Sequence, residues 1–181
     1  MRQNAERGRK SSSLCLPAEM RLVATDPRNP PPSSAATRAV MKANRGSRTR
    51  PEALLAKALR FLGASGFARN HRTQVGRIDL CFRRERVAVL VHGCFWHRCQ
   101  TCRLPLPKSH REFWMAKFRR NRARDRRLTR NLEELGWTVR EVWEHEIEHQ
   151  PRVAARRITR VLTQRRANER SKMPMSRRGG G

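Results

Sequence analysis

The chain has 181 residues, and its 42 Lys and Arg against 15 Asp and Glu leave a formal charge of +27. A balance this basic points to a polyanionic partner, because arginine forks match phosphates bidentately and neutralised phosphates release counterions; the blander source of such charge is a basic proteome or an adhesive tail. No apolar run is long enough to span a bilayer and no apolar signal core opens the chain, which excludes a membrane partner and places the protein in the cytoplasm, at the nucleoid, with its thiols reduced.

Residues 1–36 read as a disordered basic leader. Arg7-Gly8-Arg9-Lys10 and Asn29-Pro30-Pro31-Pro32 favour neither helix nor sheet ladder. Residues 169–181 read as a similar tail, leaving one domain over 37–168. Its first helix is announced by Thr49 and Glu52, the spacing of a capping box, followed by Leu54, Leu55, Ala58, Leu59 and Leu62 before Gly63. A polar link leads to a strand in which Ile78, Leu80 and Phe82 alternate with Asp79 and Cys81. Val87 to Val91 forms a second strand, apolar enough to be central.

Residues 111–135 form a long helix. At 100° per residue Trp114, Phe118, Asn121, Asp125, Leu128, Leu132 and Leu135 fall on one stripe. Gly136 stops it, Thr138 to Trp143 is a third strand, and Val153 to about Arg166 a last arginine-rich helix. Strands interleaved with helices predict an α/β or α+β sandwich.

The chemistry gathers behind the second strand, in His92-Gly93-Cys94-Phe95-Trp96-His97-Arg98-Cys99-Gln100-Thr101-Cys102. Cys-x4-Cys-x2-Cys suits a metal clip, since short loops let thiolates converge on one tetrahedral ion; three reduced cysteines in a loop is the plainer reading. Asp79, an acid inside an apolar strand and on the face opposite Ile78 and Leu80, is disfavoured unless it binds something such as Mg²⁺, or pairs with an arginine at a strand edge. His92 and His97 suit proton transfer, though either could be a zinc ligand or an inert surface residue. Asp125 interrupts an inward seam, so it faces a cation, a donor-rich site or a cleft, or pairs with an arginine of its own helix. Phe95 and Trp96 can hardly both be buried in so polar a loop. They suit stacking on bases, unless one plugs the local core.

Ordered motifs then carry a resemblance over residues 37–147. Thr37-Arg38 before Met41, Arg50-Pro51-Glu52, Gly76-Arg77-x-Asp79, His92-Gly93-Cys94-Phe95-Trp96-His97, Glu112-Phe113-Trp114, Asn121-x3-Asp125-Arg126-Arg127, Leu135-Gly136-Trp137 and Val142-Trp143-Glu144 together resemble the very-short-patch repair (Vsr) endonucleases, which nick T:G mismatches left by deamination of 5-methylcytosine. The resemblance implies a restriction-endonuclease-like α/β fold, a mixed central sheet flanked by helices with a structural Zn²⁺ site. It implies cutting just 5′ of the mismatched thymine with catalytic Mg²⁺. By position it makes Asp79 the metal-binding aspartate, His97 the general base, His92 and Asp125 supporting residues, and Glu52 a helix acid near the metal. It makes Met41, Phe95 and Trp96 the residues that intercalate beside the mismatch.

Three positions depart from the family pattern. Val91 replaces a common Thr, which keeps the main-chain carbonyl as a Mg²⁺ ligand and loses a hydroxyl. Cys99 stands where a His is familiar, and His145 where a cysteine usually completes the zinc site, so Cys94, Cys99, Cys102 and His145 would form a Cys₃His set. The implied partner is double-stranded DNA with a T:G mismatch, with mismatch-repair proteins as further candidates and the chain acting as a monomer. The competing readings are a zinc-stabilised DNA-binding module without turnover and a restriction-type endonuclease acting on intact duplex.

Overall fold

The computed structural model describes residues 49–172. Thr37, Arg38 and Met41 lie outside them. The elements in order are α1 (Arg50–Phe61), β1 (Ala68–Thr73), β2 (Gly76–Phe82), β3 (Val87–His92), α2 (Arg111–Glu134), β4 (Thr138–Trp143), α3 (Glu144–His149) and α4 (Pro151–Lys172). The four strands lie in the order β1-β2-β3-β4. β1, β2 and β3 pair antiparallel and β4 joins β3 in parallel, giving a mixed α/β sheet. A parallel neighbour requires a crossover, which α2 supplies. No helix among the described residues is long and apolar enough to cross a membrane.

Both faces of the sheet are covered, which is why Val87-Ala88-Val89-Leu90 is apolar without interruption. On one face Leu80, Phe82, Val87 and Val89 pack with Leu55 and Leu59 of α1, Ile147 of α3 and Ile158 and Leu162 of α4. On the other, Ile78, Cys81, Ala88 and Leu90 pack with Leu132 and Leu128 of α2. Each fully buried aliphatic side chain contributes about 1.5–3 kcal/mol, so the two layers together fix where the ends of β3 and β4 emerge.

Several expectations are corrected. The stretch read as a polar link contains β1. Ala68-Arg69-Asn70-His71-Arg72-Thr73 has no apolar alternation because this edge strand is held by its ladder to β2. The capping box does not form: Thr49 precedes α1, but its hydroxyl donates to Glu52 Oε1 at 3.0 Å instead of accepting a backbone N–H. The last helix starts at Pro151 and continues to Lys172, past Arg166, and the one-turn α3 precedes it. On α2, Trp114, Phe118 and Leu132 are buried as the stripe requires, whereas Leu135 is exposed beyond the helix end.

The most consequential correction concerns Asp79. Ile78 and Leu80 do not share a core: Leu80 belongs to the α1 side and Ile78 to the α2 side. Asn70 and Asp79 fall between the pairs Arg69↔Leu80 and His71↔Ile78 without forming a ladder pair, and Asn70 adopts a left-handed φ of 52°. The alternation of the hairpin reverses at that step, and Asp79 is the residue at the reversal.

Gly76 opens β2 at φ 148°, and a Cβ there would lie 2.7 Å from Leu128 Cδ1. Gly76→Ala is expected to cost about 1–3 kcal/mol through strain and overpacking, read as a lower midpoint of denaturant unfolding. An unchanged midpoint would show that the hairpin tolerates the methyl group by moving off α2.

Candidate active site and metal centre

β2 and β3 are paired from Leu80↔Val89 to Phe82↔Val87. Beyond that ladder the Val91 N–H donates to Asp79 Oδ2 at 2.8 Å, so a side-chain carboxylate occupies the place of a strand carbonyl. Burial raises the Asp79 carboxyl above its usual range, and the negative charge of Glu52 raises it further, while the Val91 N–H, Arg77 and His92 pull it down. Glu52 itself is buried, at 4% exposure, in the first turn of α1. A divalent cation beside Asp79 would offset the cost of its charge there.

His92 ends β3 and is 5% exposed. Its ring lies 4.6 Å from that of His97 and 5.3 Å from that of Trp143, and its Nε2 is 3.6 Å from Glu141 Oε2. His97 Nδ1 hydrogen-bonds Asp125 Oδ2 on α2. Burial acts to raise the Asp125 carboxyl, but the hydrogen bond to His97 and the nearby charges of His97, His92 and Arg124 hold it below the ordinary range. With Nδ1 committed to a carboxylate, His97 has Nε2 left for a substrate proton. The second polar interruption of the α2 stripe also has a partner, because the Asn121 amide donates to the Trp96 carbonyl at 3.1 Å. Asn121 and Asp125, one helical turn apart, therefore grip the loop that carries His97.

The three loop cysteines and His145 of α3 place one ligand atom each within 4.8 Å of the others, a set that could hold a metal ion. Cys94 Sγ lies 3.2 Å and Cys99 Sγ 3.6 Å from His145 Nδ1. A tetrahedral zinc, with bonds of about 2.3 Å to sulfur and 2.0 Å to nitrogen, sets its sulfur and nitrogen ligands about 3.5 Å apart, so the donor set and spacing fit. Burial pushes the Cys94 thiol up to about 12. Burial also works to raise Cys99, but the N–H groups of Cys102 and Thr101 bring it below the usual value. A cluster with one favoured thiolate and one thiol that ionises only beside a cation suits metal binding better than nucleophilic chemistry. Glu144 ties the loop to α3, accepting the Cys94 N–H at 2.9 Å.

Phe95 and Trp96 are both half-buried. Phe95 meets Trp96, Trp114 and Phe118 edge-on at 5.2, 5.6 and 5.3 Å, and the Lys117 ammonium lies 5.3 Å from the Trp96 ring centroid. As expected, the two are not both buried: they join an aromatic cluster built on α2, with part of each side chain left accessible.

Asp79, Val91, His92, His97 and Asp125 thus converge where β3 ends, with Glu52 bearing on Asp79 and Cys94, Cys99, Cys102 and His145 forming an adjoining cluster. Met41 lies outside the described residues. Glu141 was not singled out from the sequence, because a polar residue at an alternating strand position looks like an ordinary solvent-facing one. Comparison with known proteins gives a matching sequence model, described as DNA mismatch endonuclease Vsr, over residues 33–103. The chain is 40% identical over 131 residues to the type II nicking enzyme V.NaeI of Lentzea aerocolonigenes, covering 70% of this chain and 77% of that protein. It is 38% identical over 111 residues to the type II nicking enzyme V.XorIIP of Xanthomonas oryzae pv. oryzae, covering 61% and 80%. It is 42% identical over 69 residues to the DNA mismatch endonuclease Vsr of Escherichia coli, covering 38% and 44%.

Proposed function

Because the chain belongs to the DNA mismatch endonuclease Vsr family and is a DNA endonuclease, we propose that it nicks the thymine-bearing strand 5′ of T in T:G mismatches by Mg²⁺-dependent phosphodiester hydrolysis. The observation that carries this reading is the grouping, at the end of β3, of the half-buried Asp79 carboxylate with the His92, His97 and Asp125 side chains. The mixed sheet with helices on both faces fits a restriction-endonuclease-like fold.

Asp79 and the Val91 carbonyl would hold Mg²⁺, with Glu52 close by. When bound, the ion neutralises charge on the phosphate being cut. His97 accepts the proton of the attacking water at Nε2, and Asp125 fixes the ring and stabilises its charged form. Cys94, Cys99, Cys102 and His145 would hold Zn²⁺ in a structural role. Arginines exposed along α2, among them Arg119, Arg122, Arg126 and Arg130, supply sequence-independent phosphate contacts.

The test uses purified protein, Mg²⁺ and duplexes carrying T:G, T:A or C:G at one site in varied contexts. A single nick 5′ of T in the T:G duplex alone is the expected result. Equal cutting of the matched duplexes identifies an endonuclease for intact DNA, and tight binding with no cutting of any duplex identifies a binding module.

The accessible edges of Phe95 and Trp96, with Met41, would wedge beside the mismatch, where stacking is already weak. Trp96→Ala is expected to weaken mismatch binding by about 1–3 kcal/mol relative to matched duplex. Any loss of folding stability from the ring's contact with Trp114 affects both duplexes alike. An equal loss on the two would leave Trp96 a packing residue and remove it from recognition.

A further inference from the structure

We propose that Glu141 is a positioning residue that fixes the His92 imidazole toward the phosphate, so that the site holds two carboxylate-braced histidines. This rests on the nuclease reading above. His92 is enclosed between His97 and Trp143, and its Nε2 meets Glu141 Oε2 at 3.6 Å. That separation is long for a hydrogen bond, as catalytic contacts often are before substrate enters and tightens them.

Glu141 is itself held. Thr129 on α2 donates its hydroxyl to Glu141 Oε1 at 2.9 Å. The neighbouring His92 ring is the chief influence lowering the Glu141 carboxyl below its ordinary range, with the Thr129 hydroxyl adding to it and burial and Asp125 opposing. Thr129 lies four residues after Asp125, so both project from one face of α2. That face therefore braces His97 directly through Asp125 and His92 indirectly through Thr129 and Glu141. A carboxylate at Nε2 keeps the proton on that nitrogen and leaves Nδ1 for the phosphate, the same division of labour, with the nitrogens exchanged, that Asp125 imposes on His97.

The test compares wild type, Glu141→Gln and Glu141→Ala in single-turnover nicking, DNA affinity and the ring ¹⁵N shifts of His92. Glu141→Ala is expected to lower the nicking rate about tenfold or more, the usual effect of losing an orienting partner, with DNA affinity changed less than about twofold. Glu141→Gln still offers an oxygen to Nε2–H and is expected to recover most of the rate and the wild-type ring shifts, which Glu141→Ala loses. A residue that merely stabilised the fold would move melting temperature without altering the His92 tautomer. The proposal is overturned if Glu141→Ala nicks at the wild-type rate, if Glu141→Gln is as slow as Glu141→Ala, or if the His92 shifts are the same in all three. Should the wild type cut no duplex, the nuclease reading fails on its own, and the ring shifts still decide whether Glu141 orients His92.

Discussion

An Asp79→Asn variant is expected to bind a T:G duplex as the wild type does and to nick it at least about a thousandfold more slowly. An Asn oxygen can still accept the Val91 N–H, now at 2.8 Å from Oδ2, so the strand geometry survives while the charge that recruits the cation is gone. The folded protein should not suffer. Burial and Glu52 raise the Asp79 carboxyl, so its ionised form costs stability at neutral pH, and the metal-free variant is expected to melt no lower than the wild type. His97→Ala should fail differently, losing about 10²–10⁴-fold in rate through loss of the base while leaving the divalent-ion dependence intact. If Asp79→Asn nicks near the wild-type rate, the cation lies elsewhere and the active centre is misassigned.

The second large effect belongs to the cysteine cluster. Metal analysis should find about one zinc per chain, and Cys94→Ala or Cys102→Ala should cost about 3 kcal/mol or more, since lost coordination is lost folding energy. The cost spreads because the loop is tied to α3 through Glu144 and His145. His145→Cys keeps a soft donor within reach and should be tolerated. A chelated preparation that melts where the untreated protein does, and still nicks, would remove the structural role.

Much of this was legible in the sequence for identifiable reasons. The α2 stripe read correctly as far as Leu132 because its period persists over several turns, and the two polar residues within it, Asn121 and Asp125, stood out because burying them requires partners; those partners are the Trp96 carbonyl and His97. β4, read as Thr138 to Trp143 after the stop at Gly136, was legible to the residue. β1 was not, because an edge strand held by backbone pairing need not alternate in hydropathy. The face of Asp79 was also hidden. It depends on a left-handed step at Asn70, nine residues earlier and on another strand, and no local pattern around Asp79 reports it. Glu141 escaped for a similar reason, since what distinguishes it from a solvated glutamate is the pair His92 and Thr129 arriving from two other elements.

The parallel pairing of β3 with β4 also bears on how the chain acquires its activity. The two strands are neighbours in the sheet but are separated along the chain by the whole cysteine loop and α2. Hairpin contacts among β1, β2 and β3 can form early at small entropic cost, whereas β4 must wait until that long intervening loop closes. The cysteines and His145 sit on opposite sides of the same gap, so a metal held by all four would join its two ends as a crosslink does. His92 and Glu141, also on opposite sides, meet only once β4 has docked, which would make the candidate site one of the last parts of the molecule to be assembled.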